Sequence, residues 1–371
     1  MSTSRQKKRK PTARARTVPT VEEFAALEPY GHFSVTDDNG EEVRFSLGDT
    51  AAVLPHHIAV GTQLPPHKYW VVKILAIGVR HPRPQRKKAR LNTIQQQIPE
   101  VWVKINWFYS PTEISYKIQG FHASHCSNFE RIYSDHSDIV SALTFEALAP
   151  TTRFREDDPD QTPIPADEFF YRYFFKTSSP RYEIYVLHAS TNSKGSEVGC
   201  FCDCPYNIRD KSPLRIMHMC PRPSCRRFYH RDCLLEHGHW GPTTDPLVHL
   251  ACSPDSDLLP SKFVEAKPRS KKCRASQHIE PEIPSSLLRL AAQPIVRGAA
   301  LPALGIVGNA KDVVYARRLV YSAWQGTTVP HTWQDSVDVT TSMVDSVLTP
   351  IQLEETGQEC ALACPKCGGP I

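Results

Sequence analysis

No stretch of this chain approaches the ~18 consecutive apolar residues that a membrane-spanning helix requires, so no membrane partner is expected. The start lacks the apolar core of a secretory leader, and an intracellular, reducing compartment is expected. Internal repeats are absent. So are the glycine loop that cradles phosphate, the nucleophile elbow and the His-Glu-x-x-His helix. The sequence therefore offers no recognised catalytic constellation, and a non-enzymatic protein is expected. A large excess of one charge is also missing: 44 Lys and Arg stand against 39 Asp and Glu, a net charge of +5.

Cysteine, in contrast, is plentiful, with 12 residues, most of them in short pairs. Cys200-Phe-Cys202, Cys220 and Cys225, His230 and Cys233, and Cys364-Pro-Lys-Cys367 form a series of four cysteines, one histidine and three cysteines. Structural zinc takes four thiolate or imidazole ligands in a tetrahedron, and short knuckles present two ligands from one turn. Two zinc ions are expected in a cross-braced arrangement. Cys200, Cys202, His230 and Cys233 would hold one, and Cys220, Cys225, Cys364 and Cys367 the other. A Cys202/Cys204 opening pair is the alternative to Cys200/Cys202. Cys126, Cys252, Cys273 and Cys360 have no close partner in sequence and are read as ordinary thiols. The 130 residues between Cys233 and Cys364 make an unusually long loop. Closure grows by only about 0.6 kcal/mol per doubling of length, whereas structural zinc binding supplies about 10–16 kcal/mol. The insertion is energetically tolerable.

At 371 residues, more than one core is expected. Residues 1–30 are assigned as a disordered arm, because Arg5 to Arg16 is basic and without apolar periodicity. Lys7-Lys8-Arg9-Lys10-Pro11 matches a nuclear import signal, and the same charges suit nonspecific contact with nucleosomal DNA. Further basic runs at Arg80–Arg90 and Lys267–Arg274 are read as loops. Tyr69–Ile77, Val101–Tyr109 and Asp167–Phe175 are rich in β-branched and aromatic residues and read as strands. Val101, Val103, Ile105 and Trp107 share one face of the second, and Trp102, Lys104 and Asn106 the other, which suits a half-buried strand. Leu287–Ala292 and Lys311–Trp324 have helical spacing, with Gly326 as a stop.

In order along the chain stand Gly48-Asp49, Tyr69-Trp-Val-Val-Lys-Ile74, Val103-Lys-Ile-Asn-Trp-Phe-Tyr-Ser-Pro111, Asn128-Phe-Glu130, Ser134-Asp-His-Ser-Asp138 and Asp167-Glu-Phe-Phe-Tyr171. This ordered set resembles a bromo-adjacent homology domain. Cys200-Phe-Cys202-Asp-Cys-Pro205-Tyr206 and Cys225-Arg-Arg-Phe-Tyr-His230-Arg-Asp-Cys233 resemble the opening and middle of a plant homeodomain finger. The combination is similar to chromatin proteins of fungi and plants. It implies a multidomain fold: a mainly β, barrel-like domain over 31–190, a small zinc-stabilised α+β finger over 198–235 completed by 360–371, and a helical insertion over 236–359. A ring-type ubiquitin ligase shares the ligand order, but not the opening spacing or the long insertion.

What the resemblance implies for function is methyl-lysine reading in the nucleus, with the histone H3 tail as partner and other chromatin proteins as further partners. By position, Trp70, Trp107 and Tyr109 correspond to the aromatic cage, and His136 and Asp138 to histone-contacting residues. A trimethylammonium group keeps its charge but donates no hydrogen bond, so ring faces recognise it, each contributing about 0.5–2 kcal/mol. Periodicity offers a competing reading in which Trp107 belongs to the core. In the finger, Phe228 stands where trimethyl-lysine readers usually have tryptophan. Tyr206, Met217 and Met219 are open to groove or packing roles.

Overall fold

The computed structural model describes residues 18–36, 40–55, 58, 62–81, 99–178, 181–187, 199–243, 245–257, 282–337, 351–352 and 359–371. The chain divides into two units: Met1–Tyr109 with Tyr133–Pro150 and Lys176–Arg181, and Ser110–Ile132 with Thr151–Phe175 and Tyr182–Ile371. Among the described residues the secondary structure is mainly β, with short helices.

The first unit opens with helix α1 (Val21–Ala25), nucleated by a capping box: the Thr20 hydroxyl accepts from Glu23 N–H and the Glu23 carboxylate accepts from Thr20 N–H. Strands β1 (Glu28–Tyr30), β2 (His32–Thr36), β3 (Glu42–Ser46) and β4 (Thr50–Val53) follow, then the long β5 (Trp70–Arg80) and β6 (Glu100–Tyr109). β7 (Glu130–Ser141) joins this unit from Tyr133 onward, followed by β8 (Phe145–Leu148). The sheet runs β7-β6-β5-β4-β8, with β1 on the far end of β5 and β2–β3 as a separate hairpin. The described part of the expected disordered arm, 18–30, is thus structured. Its capping box and its pairing of Tyr30 with Ile77 account for the difference, while residues 1–17 lie outside the described residues.

Register decides which faces are buried. Val72 faces Trp107 and Ile74 faces Ile105, but Ile77 faces Val103, because a bulge at Leu75 inserts one residue into β5. Without that bulge, Ile77 would point to the opposite face from Ile74. With it, Val72, Ile74, Ile77, Val103 and Ile105 line one core together with Phe33, Phe45 and Phe145. Those three rings lie within 5.0–5.4 Å of one another. The reading of β6 as half-buried needs one correction. Trp102, on the supposedly outer face, is only 4% exposed. Its cross-strand neighbour is Gly78, where an added Cβ would lie 2.9 Å from Leu27 and 3.3 Å from Phe24, so the N-terminal segment covers this side as well.

The second unit contains α2 (Pro111–Ser115), β9 (Thr151–Arg153), β10 (Phe169–Lys176) and β11 (Glu183–Val186), with β9 and β10 parallel. Next come β12 (Met217–Met219), β13 (Phe228–His230), α3 (Arg231–Glu236), β14 (Trp240–Pro242), α4 (Ser285–Ala291), β15 (Val296–Arg297), α5 (Ala310–Trp324), β16 (Ile351–Gln352) and β17 (Glu359–Leu362). The two expected helices are present, and Gly326 follows α5 with φ +95°. The stretch between the third and fourth knuckles does more than bridge them. Its β15 adds to the cysteine-rich segment as the third strand of β13-β12-β15, and its two ends meet where β14 pairs with β17. One core holds Phe154, Ile164 and Phe170 together with Cys200, Tyr206, Met219, Phe228, Leu287, Val313 and Leu362.

Candidate functional site

Two constellations carry recognisable chemistry, one in each unit. In the first, the apolar strip of β6 runs from Val103 and Ile105, both 0% exposed, to Trp107 and Tyr109, which are half-buried. Trp70 opens β5 on the same face, and its ring meets Trp107 edge to face, with centroids 5.4 Å apart and planes at 88°. Both tryptophans rest against the core while keeping part of their surface open. The core and surface readings of Trp107 are therefore compatible: the strip ends where its cover ends.

Tyr109, two residues further along β6, bonds through its hydroxyl to His136 Nδ1 at 2.7 Å, and the two rings lie nearly parallel at 6.0 Å. His136 is exposed on β7. Its neighbour Ser134 donates to Trp107 O at 2.8 Å and accepts from His136 N–H at 3.3 Å, so one hydroxyl ties the two strands at the aromatic positions. Ser137 donates to Asn106 Oδ1 at 2.6 Å. Asp138 is exposed and accepts from the backbone N–H of Ile139 at 2.8 Å. The structure thus joins Trp70 to Trp107 and Tyr109 to His136, whereas Asp138 bonds the adjacent backbone N–H of Ile139.

Asp135, between these residues, was not singled out by the sequence reading. It accepts four hydrogen bonds: from Thr177 N–H at 2.6 Å, Thr177 hydroxyl at 2.7 Å, Ser178 N–H at 3.2 Å and Ser178 hydroxyl at 2.6 Å. Burial acts to raise its pKa, but these bonds outweigh it and hold the carboxyl well below the usual range.

The second constellation is the thiol-rich part of the other unit. The ligand atoms of Cys200, Cys202, His230 and Cys233 all lie within 4.8 Å of one another. Nδ1 is the histidine nitrogen turned to the sulfurs, 3.4 Å from Cys202 and 4.0 Å from Cys233. Cys204, the alternative opening ligand, is exposed. Cys220, Cys225 and Cys364 form a second mutually close set, with Cys225 and Cys364 sulfurs 3.4 Å apart. Cys367 approaches it at 3.6 Å from Cys220. Sulfurs at two corners of a zinc tetrahedron are about 3.8 Å apart for bonds of ~2.3 Å, so both sets have the donor chemistry and spacing of a structural metal site. The last knuckle turns through Gly368 at φ +69°, where Gly368 N–H donates to Cys364 O at 2.8 Å and Cys364 N–H to Gly369 O at 2.8 Å.

The candidate groove residues of the cysteine-rich segment, Tyr206, Met217 and Met219, are packing residues, as is Phe228; all four are buried. Tyr206 donates its hydroxyl to Ile306 O at 3.1 Å and lies under the Arg297 guanidinium, whose carbon is 4.3 Å from its ring and 3.8 Å from that of Phe228. Arg297 belongs to a buried charge network the sequence reading missed. Arg172 donates to Glu130 at 2.8 Å and to Glu156 at 3.0 Å, and Arg297 donates to Glu156 at 2.5 Å. Burial pushes the Glu130 carboxyl up. In Glu156 the same effect is outweighed by Arg297 and Arg172, which hold its carboxyl down. No local sequence pattern signals this network, because its members are scattered from residue 130 to residue 297. The basic runs at 5–16, 82–90 and 267–274 lie outside the described residues.

No protein-family model matches the chain, and no curated protein matches it. Among solved structures, the crystal structure of the yeast Rsc2 BAH domain is similar over 41% of this chain and 52% of that one, at 13% identity and a TM-score of 0.24. The chain spans about half the length of that structure.

Proposed function

We propose that the chain is a non-enzymatic chromatin reader of the bromo-adjacent homology and plant homeodomain type, binding a methylated lysine of the histone H3 tail through Trp70, Trp107 and Tyr109. The observation that carries this reading is the half-buried, edge-to-face Trp70–Trp107 pair beside the His136-supported Tyr109. A ring pair with one side on the core and one side open is stiff, so little conformational freedom is lost when a methylammonium settles against it. His136 and Asp138, exposed on the next strand, supply polar contacts to the tail backbone. The ordered landmarks of the sequence support the family assignment, and the two Cys/His sets support two zinc ions with a structural role.

In this reading the finger is a scaffold element, because Tyr206 and Phe228 are committed to the core. The basic arm adds salt-sensitive attraction to nucleosomal DNA and directs the protein to the nucleus. The output is regulation of transcription, with a Polycomb-type repressive mark as the specific target.

The test is binding of the full chain to a modified histone-peptide array. Wild-type protein should select a trimethylated H3 peptide, Trp107→Ala should reduce that binding by about 10-fold or more, and deletion of residues 1–17 should leave the peptide selection intact. Binding of wild type and Trp107→Ala alike, without methyl dependence, would overturn the reading in favour of a protein-interaction scaffold.

A further inference from the structure

The second thiol set has one sulfur too many. Cys220, Cys225 and Cys364 are mutually close, and two further cysteines reach this trio through Cys220. Cys367 does so at 3.6 Å, and Cys252 faces Cys220 and Cys364. Cys252 belongs to no knuckle of the sequence: it directly follows the short 3-10 turn Val248–Ala251, and it is 0% exposed. It packs on the last knuckle: a Cβ placed on Gly369 would lie 2.5 Å from Cys252 Sγ and 3.6 Å from Cys367 Sγ. Both sulfurs therefore flank the same glycine, and only a residue without a side chain leaves room for the two together.

Charge fits the same picture. Four thiolates around a divalent ion leave two negative charges in a buried place. The largely buried Arg222, which donates to Asp257 O at 3.2 Å, faces Cys367, Cys252 and Cys220, and the buried Arg317 faces Cys252 and Cys220. Two guanidiniums thus balance a four-thiolate centre whichever of the two cysteines completes it.

We propose that Cys252 and Cys367 are alternative fourth ligands of the second metal ion, so that this ion sits in a five-thiol centre with one exchangeable corner. In the exchange, the Cys252 thiol gives up its proton as its sulfur bonds the metal, the Cys367–metal bond breaks, and the released Cys367 thiolate takes up a proton. Neither the count of metal nor the oxidation state of any sulfur changes. An associative exchange of this kind lets the C-terminal knuckle detach without loss of the ion, because three corners and the incoming Cys252 continue to hold it.

This inference rests on the two-metal reading above, and the experiment separates them. The full chain is loaded with zinc for counting and with cobalt for its sulfur-to-metal absorption, as wild type, Cys252→Ser, Cys367→Ser and the double variant. Wild type should hold two ions. Each single variant should also hold two, with unchanged charge-transfer intensity, while the double variant should lose one ion or about a quarter of the sulfur contribution at that site. If Cys367→Ser alone matches the double variant, or Cys252→Ser alone does, one fixed ligand is sufficient and the exchange is refuted. A double variant identical to wild type refutes it too. Wild type holding no second ion would remove the metal reading with it. Alkylation of zinc-loaded wild type gives an independent readout that needs no substitution: molecules should be modified at Cys252 or at Cys367, with Cys220, Cys225 and Cys364 protected. Equal protection of all five, or labelling of both in the same molecules, overturns the proposal.

Discussion

Asp135 shows how much one side chain can organise. Its two carboxylate oxygens receive two backbone and two hydroxyl donors from Thr177 and Ser178. Its folded pKa lies below the ordinary value of 3.8, so the folded state binds the proton less readily than the unfolded one. The stabilisation is complete above the ordinary value and is lost as pH falls through the folded one. Asp135→Asn should flatten the acid limb of stability against pH and speed amide exchange at Thr177 and Ser178. An unchanged acid limb would show that those bonds contribute nothing to folding. The neighbouring site residues differ in how legible they are. Trp70, Trp107 and Tyr109 stand out as aromatics in strand patterns, but Asp135 looks like any turn carboxylate until residues 177 and 178 are placed beside it.

At the scale of elements, β15 is the piece that the sequence pattern hides. Val296 and Arg297 are too few to show a strand period, yet both are buried and pair with His218 and Met217. The turn that returns the chain over them uses Gly308 at φ +86°, where a Cβ would clash with Val296 O and lie 2.9 Å from Arg297 Cα. The atoms it would meet are mainly backbone and cannot step aside. Gly308→Ala should therefore destabilise the protein by about 1–3 kcal/mol, read as a lower melting temperature, whereas Gly326→Ala, at a position with open space, should cost less. Equal losses would contradict the close-approach argument. The neighbouring helices are tied in a way only packing reveals. Buried Arg317 of α5 donates to Ala291 O at 2.9 Å and Gln293 O at 2.7 Å, satisfying carbonyls at the end of α4. Both helices were readable from their apolar spacing, α5 the more clearly because its 15 residues repeat the 3.6-residue period about four times.

For the molecule as a whole, the second unit draws its core from three stretches that the sequence divides among different domains. Glu156 is the junction, bonded to Arg172 on β10 and Arg297 on β15. Removing one member of a buried ion network leaves the others without compensation, a loss of about 3–5 kcal/mol, although a well-packed apolar replacement of the whole set need cost nothing. Glu156→Gln should accordingly lower the unfolding free energy by an amount in that range, read as a lower denaturation midpoint, with the metal content of the purified protein retained. A midpoint within error of wild type would show that Arg172 and Arg297 find other partners.

The chain's order of knuckles, its aromatic strands and its two helices were decided locally, because spacing within a few residues is enough to set a zinc knuckle, a strand face or a helical stripe. The parity of β5 on either side of Leu75, the cover over Trp102, the burial of Tyr206 and Phe228, and the fifth thiol at Cys252 were decided only when distant segments met. Cys252 has no ligand-like neighbour along the chain, and its sulfur acquires meaning only against Cys220 and Gly369, because a thiol's role depends on what lies within a bond length in space.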